Sequence, residues 1–255
     1  MAFLLTSCSS SPDPAPRVAA APSPTVASPS PAPASSPSPS PLPSPEDVIR
    51  DASGDTGAVS DDDLLRAWLK PDDDRRPRHV VVTANPIDQR LVFLIRKIAR
   101  TTEGEKWFEV WLPERPNGLT GWVRAKDVDV VHLEQSIEVD LSDRTLRHYV
   151  GDELAHEFLV GIGTETNPTP TGTYFLWSWD QIEPPTGVYG AYAFGISGFA
   201  PNLSDWEGGG RVAIHGTTNS GDRGQAVSHG CIRVFNDDIV QLAGLEVGTP
   251  VRIHP

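Results

Sequence analysis

The chain reads as a mostly β protein, with a larger β domain in its C-terminal half preceded by a smaller β module. Three observations point there. Short runs of β-branched and aromatic residues, such as His79-Val80-Val81-Val82 and Trp107-Phe108-Glu109-Val110-Trp111-Leu112, recur between Gly, Pro and Asn. Ile137-Glu138-Val139-Asp140-Leu141 alternates apolar and polar with period two, the pattern of a half-buried strand. Helical signals are confined to two short stretches, 61–69 and 236–244.

Not all of the 255 residues can contribute to a core. Residues 9–46 are almost entirely Ser, Pro and Ala, with too little apolar bulk to bury, and read as a disordered, partly polyproline-II tether. At about 3.1 Å per residue such a tether reaches on the order of 100 Å. The roughly 205 residues that remain suffice for one sizeable core and a small second module. No stretch approaches the ~18 apolar residues of a transmembrane helix, and no internal repeat with a period of about 20–50 residues is visible. The formal charge of −13 argues against a nucleic-acid partner, and a monomer is expected.

Ahead of the tether, Leu5-Thr6-Ser7-Cys8 resembles the lipobox of bacterial lipoproteins. The resemblance implies lipidation of Cys8 and anchoring to a membrane. The residues before Cys8 hold neither a basic n-region nor a full apolar h-region. Residues 1–8 therefore read as a truncated signal, and further signal sequence is expected upstream of Met1. The two cysteines, Cys8 and Cys231, leave no structural disulfide to expect.

Residues 47–77 read as an acidic linker with one short helix over Asp61-Asp62-Asp63-Leu64-Leu65-Arg66-Ala67-Trp68-Leu69, its Asp residues in the first turn. Asp72-Asp73-Asp74 lacks the alternating oxygen ligands, glycine and closing glutamate of a calcium loop and reads as solvated. Residues 78–131 form the small module, with strands at 79–82, 91–95, 107–112 and 121–123 and a turn at Asn117-Gly118. Gly121-Trp122-Val123-Arg124-Ala125-Lys126-Asp127-Val128 resembles the closing strand of bacterial SH3-like barrels. An SH3-like β module implies either a grip on peptidoglycan or a small aromatic core serving as a platform for the next domain.

Residues 135–254 form the larger domain. Strands at 145–149 and 157–160 make a hairpin around Gly151-Asp152. Gly161-Ile162-Gly163 follows, then Pro168-Thr169-Pro170-Thr171-Gly172, where the prolines fix φ and the glycine supplies a turn. Residues 173–177 and 211–214 are further strands. The interval 179–210, rich in glycine and aromatics (Tyr189, Tyr192, Phe194, Trp206), reads as a flap over a cleft. Residues 236–244 read as a short helix, with Asp237 and Asp238 near its start and Ile239, Leu242 and Leu245 on one face. Residues 247–253 close with a last strand.

The chemistry gathers in Ile214-His215-Gly216 and Ser228-His229-Gly230-Cys231-Ile232-Arg233. Cys231 follows His229 by two residues and His215 by sixteen. A thiol becomes a good nucleophile when an imidazole takes its proton or when positive groups stabilise the thiolate. Glycines beside it leave room for a substrate backbone, and the set points to acyl transfer through a thioester. Two other readings of the same residues stand beside this one. A lone cysteine can be an inert small hydrophobe. His215, His229 and Cys231 are also zinc-ligand types, although the chain has no CxxC or HExxH ligand pair.

The pattern H-G-x(11)-S-H-G-C-I-R resembles the active-site signature of the L,D-transpeptidase (YkuD-type) catalytic domain, which cross-links peptidoglycan. The likeness covers about half of the chain, and Pro168 to Gly172 is similar to the family's T-P-x-G turn. It implies an L,D-transpeptidase-type β-sandwich with a short helix after the catalytic loop, and no cofactor or metal. It implies Cys231 as nucleophile and His215 as base, with the imidazole oriented by the backbone carbonyl of Gly216. His229 and Gly230 line the pocket, and amides there and at Cys231 serve the oxyanion. Ser228 and Arg233 flank the nucleophile as substrate-binding residues; the other role open to Arg233 is to brace the loop against an Asp. The implied partners are peptidoglycan stem peptides, in an extracytoplasmic, cell-envelope location.

The implied reaction forms 3→3 cross-links. Cys231 attacks the third residue's carbonyl in a donor tetrapeptide stem, releases D-alanine, and passes the acyl group to an acceptor amine. Transfer to water makes the enzyme an L,D-carboxypeptidase, and transfer to a lysine attaches a protein. A non-catalytic wall-binding lipoprotein and a cysteine hydrolase of other amides are the readings from other classes. Acylation by a carbapenem separates them. The interval from His215 to Ser228 is shorter than in many family members, and Arg233 stands where asparagine often occurs.

Overall fold

The computed structural model describes residues 55–255, apart from 74 and 206. The lipobox-like leader with Cys8, the tether, residues 47–54, Asp74 of the acidic run and Trp206 of the expected flap lie outside the described residues.

The first seven strands build the small module: β1 (Asp55–Val59), β2 (Leu64–Ala67), β3 (His79–Val82), β4 (Phe93–Arg100), β5 (Lys106–Trp111), β6 (Thr120–Arg124) and β7 (Asp129–Leu133). Five of them form an antiparallel sheet in the order β6-β5-β4-β1-β7, and β2 and β3 form a separate ribbon. Leu65, Val81, Leu91, Phe93, Phe108, Val110 and Val123 fill its interior.

The helix expected over 61–69 is strand β2. Leu65 and Ala67 are buried while Leu64 and Arg66 are exposed, a period of two. An isolated helix of that length is marginal in water. As a strand the segment pairs with β3, and the Trp68 N–H and carbonyl both bond Trp122 at 2.8 Å. The module therefore starts well before residue 78, because β1 lies between β4 and β7 in the sheet and the ribbon joins β6 through Trp68. The acidic run suggested a helix start; it forms bends leading into a strand.

The larger domain follows with β8 (Gln135–Asp140), β9 (Thr145–Val150), β10 (Glu153–Leu159), β11 (Ile162–Gly163), β12 (Gly172–Gln181), β13 (Tyr192–Phe199), β14 (Arg211–Thr217), β15 (Ala226–Ser228), β16 (Ile232–Phe235), α1 (Asn236–Ile239) and β17 (Pro250–His254). Eight of these strands hydrogen-bond in the order β10-β9-β8-β17-β12-β13-β14-β16. The first half of β12 pairs with β17 and its second half with β13, so β12 carries the chain from one leaf to the other. Ile137, Val139 and Leu146 of one leaf share a single core with Phe194, Ile196, Val212, Ile214, Ile232 and Val234 of the other. That shared core makes the domain a sandwich. After one α turn the expected helix tightens to a 3-10 turn over Val240–Leu242. Ile239, Leu242 and Leu245 are buried at a spacing of three, which suits three residues per turn.

The expected flap over 179–210 is two loops, not one. Strand β13 occupies its middle, paired with β12 on one side and β14 on the other. Its glycines at 195 and 198 hid the alternation of Phe194 and Ile196, which point into the core.

The module packs on the sheet face opposite that core. Along β12, Tyr174 and Leu176 enter the sandwich core, while Phe175 enters the module's core and meets Phe93 with ring centroids 6.1 Å apart. The Asn117 carboxamide acts as one rung of an extra strand: Nδ2 donates to the Phe199 carbonyl at 2.8 Å and Oδ1 accepts from the Phe199 amide at 2.9 Å. Arg115 Nη2 donates to the carbonyls of Ala200 at 3.1 Å and Gly209 at 2.9 Å, at the neck of the 200–210 loop. The Arg211 guanidinium stacks 4.0 Å from the Trp177 ring and 4.4 Å from Phe199. Burial, with Arg115 nearby, lowers its pKa to about 10.

Candidate active site

Strands β14 and β16 run parallel, with Ile214 opposite Ile232 and His215 opposite Arg233. Ile214 and Ile232 face the core, so His215 and Arg233 share the other face. Cys231 immediately precedes β16 and accepts a hydrogen bond from the backbone of Ala213, two residues before His215 on the neighbouring strand. The crossover between the strands thus returns the cysteine to the strand that carries the histidine.

His215 is only 2% exposed. Its Nδ1 lies 2.8 Å from the Gly216 carbonyl oxygen. A carbonyl can only accept, so Nδ1 carries the proton and Nε2 keeps its lone pair. Burial pushes this imidazole down to about 4; Arg233 adds to the depression, while the Gly216 contact and Asp222 oppose it. Between about 4 and the ordinary 6.5 the unfolded chain holds the proton and the folded chain does not. This contribution is fully present above 6.5 and is lost as pH falls toward 4.

Burial pushes the Cys231 thiol above its ordinary 9.0, against the pull of the Ala213 amide and the Arg233 charge. The resting pair at neutral pH is therefore a thiol and a neutral imidazole, not a preformed ion pair. Alkylation of the uncomplexed protein by iodoacetamide is expected to climb about tenfold per pH unit from about pH 7 to 9, following the thiolate fraction. A rate already level by neutral pH is incompatible with this resting state.

The remaining expected residues divide. Ser228 is 1% exposed, and its Oγ donates to the Cys231 carbonyl at 2.5 Å and accepts from the Gly230 amide at 3.0 Å. In this structure the hydroxyl closes the loop. The same bond engages the Gly230 amide that was expected to serve an oxyanion. Gly230 adopts φ +115, and a Cβ there sits 3.3 Å from the Ala200 Cβ and 3.4 Å from the Pro168 carbonyl, so glycine suits the site on both counts. His229 is exposed at the tip of this loop. Arg233 takes the bracing position, with Nη1 3.3 Å from Asp222 Oδ2.

Two residues were missed by sequence reasoning. Asp222 is 3% exposed and also accepts from Thr217 Oγ1 at 2.9 Å and Asn219 Nδ2 at 2.8 Å. It ties the crossover to both catalytic strands. The signal was the polar, turn-forming run Thr217-Thr218-Asn219-Ser220-Gly221-Asp222. Asn236 is the second. Its carboxamide reaches the 182–191 loop, where Tyr189 sets its ring edge-on to His215 with centroids 5.2 Å apart. Among the described residues, no three His, Cys, Asp or Glu side chains converge as ligands for a metal.

A family model described as the L,D-transpeptidase catalytic domain (YkuD) matches residues 134–253. The chain is 35% identical over 120 residues to the YkuD protein of Bacillus licheniformis, covering 47% of this chain and 65% of that protein. With the YkuD protein of Bacillus subtilis it shares 30% identity over 127 residues, 49% of this chain and 70% of the relative. Among solved structures it resembles an L,D-transpeptidase from Mycobacterium smegmatis, with a TM-score of 0.39 and 14% identity over 60% of this chain and 91% of that one. It also resembles the catalytic domain of the E. faecium L,D-transpeptidase acylated by ertapenem, with a TM-score of 0.37 and 26% identity over 49% of this chain and 99% of that one.

Proposed function

This chain belongs to the family of L,D-transpeptidase catalytic domains (YkuD), and we propose that it cross-links peptidoglycan stem peptides through a thioester on Cys231. One observation carries the reading. His215 is held in a single tautomer by the Gly216 carbonyl, with a basic Nε2, on the strand whose Ala213 amide bonds the Cys231 sulfur.

In the proposed reaction the Sγ proton passes to His215 Nε2 as sulfur attacks the carbonyl of the third residue in a donor tetrapeptide stem. A neutral resting pair makes this transfer part of the attack rather than a step before it. The C–S bond forms, and the carbonyl oxygen takes the negative charge. Amides of the 228–231 loop are the donors near it; the one on Gly230 serves only by releasing Ser228 Oγ. Collapse breaks the C–N bond, and the imidazolium gives its proton to the departing D-alanine nitrogen. An acceptor amine then attacks the thioester, loses its proton to His215 and regenerates the thiol, leaving a 3→3 link. Water in place of the amine gives the carboxypeptidase outcome.

Incubating the full chain with a tetrapeptide stem tests this reading. The expected products are D-alanine and a 3→3 stem dimer. D-alanine with tripeptide alone moves the assignment to hydrolysis, and no D-alanine release contradicts it.

A further inference from the structure

The loop from β12 to β13, residues 182–191, lies across the catalytic end of β14. It is fastened there by one side chain that no part of the proposed chemistry uses. Asn236, the first residue after β16, accepts from the Ala191 amide at 3.1 Å through Oδ1 and donates to the Pro185 carbonyl at 2.9 Å through Nδ2. The two atoms of one carboxamide therefore hold the strap at two points, Pro185 and Ala191. The fit beneath them is close. A Cβ on Gly190 falls 2.1 Å from Asn236 Oδ1 and 2.4 Å from the Gly216 carbonyl carbon. A Cβ on Gly216 falls 2.3 Å from Asn236 Oδ1 and 2.8 Å from the Ala191 amide nitrogen. Gly216 is the residue whose carbonyl receives the His215 Nδ1 proton. Between the two fastened points the strap carries Tyr189, half of whose surface is exposed, with its ring edge-on to the imidazole.

We propose that Asn236 is a positioning residue for His215: its carboxamide clamps the strap onto Gly216, so that Tyr189 caps the imidazole and the Gly216 carbonyl stays where the imidazole needs it. The proposal rests on the reading of His215 as the base. The alternative source of an imidazole's properties is its charged surroundings. The groups facing His215 are Arg233 and Cys231 next to or on β16 and Asp222 from the crossover, with the Tyr189 ring on the strap; its partner on β13 is Ala193. Arg233 and Asp222 act in opposite senses, which leaves exclusion of water as the dominant influence. On the proposed reading the strap contributes to that exclusion through Tyr189, which stands edge-on to the ring.

The test compares the wild-type chain with Asn236→Ala and Tyr189→Leu. Two readouts are taken: NMR titration of the His215 imidazole and the single-turnover rate of Cys231 acylation by a carbapenem. In the wild type His215 is expected to titrate near 4. In Asn236→Ala the strap lifts, water reaches the ring, the titration moves toward 6.5 and acylation slows about tenfold to 10²-fold. Tyr189→Leu leaves the clamp intact and is expected to move the titration in the same direction, which carries the test if the alanine variant does not fold. A folded Asn236→Ala protein whose His215 still titrates as in the wild type overturns the proposal, whatever its rate. Unchanged titration in Tyr189→Leu overturns it equally. A wild type that is not acylated, with the titration shift present, defeats the transpeptidase reading and leaves the clamp standing.

Discussion

Replacing Cys231 by alanine is expected to abolish D-alanine release from a tetrapeptide stem, to below the detection limit of an assay spanning about three orders of magnitude. The reason is that no second nucleophile stands ready. Among the described residues Cys231 is the one thiol. The hydroxyl of the same loop, Ser228 Oγ, is buried and engaged by the Cys231 carbonyl and the Gly230 amide. The substitution itself is small and the site half-buried, so the fold should survive it. A thermal unfolding midpoint near that of the wild type, together with lost turnover, separates chemistry from folding. Turnover close to wild type in the alanine variant is incompatible with a thioester on this residue.

His215→Ala is expected to slow acylation by about 10²–10⁴-fold, the usual weight of a general base. His229→Ala is expected to cost far less. The two histidines differ in burial. His215 is buried, held at Nδ1 by Gly216 and neutral at working pH; His229 is exposed on a loop tip. Single-turnover acylation of both variants decides between them, and the reverse order of effects moves the base to His229. Because burial pushes the His215 imidazole down to about 4, the acid limb of the acylation rate is expected there rather than near the ordinary 6.5.

What was legible in the sequence and what was not follows from how each group acts. Cys231 and His215 stand out because their chemistry needs particular residue types, packed among glycines in two short strings. Asp222 and Asn236 act through contacts made across the fold, with Arg233 on one side and with Pro185 and Ala191 on the other, and single-sequence spacing carries no trace of those distances. Ser228 shows the same limit: its match to a family position beside the nucleophile implied a substrate contact, and the bonds its hydroxyl makes to the loop backbone are visible only in the fold. The strands went wrong where composition mimicked another element. Three aspartates ahead of Leu64 imitated a helix start, and the glycines of β13 imitated a loop. In both places ladder hydrogen bonds with neighbouring strands decided the outcome.

The module's place in the molecule follows the same logic. Its aromatic content allowed a wall-binding role or a platform role. Asn117, Arg115 and the Phe93–Phe175 contact fix it to β12, to the end of β13 and to the neck of the 200–210 loop. Ala200, bonded to Arg115 through its carbonyl, lies against Gly230 of the nucleophile loop. Through Ala200 the module's contacts thus reach toward Cys231.

The most direct test of the central claim is the intact mass of the protein after exposure to a carbapenem, followed by peptide mapping. The expected result is a single covalent adduct located on Cys231 and absent from Cys231→Ala. No adduct on the folded wild type, or an adduct on another residue that persists in Cys231→Ala, contradicts the assignment of Cys231 as the acyl-accepting nucleophile.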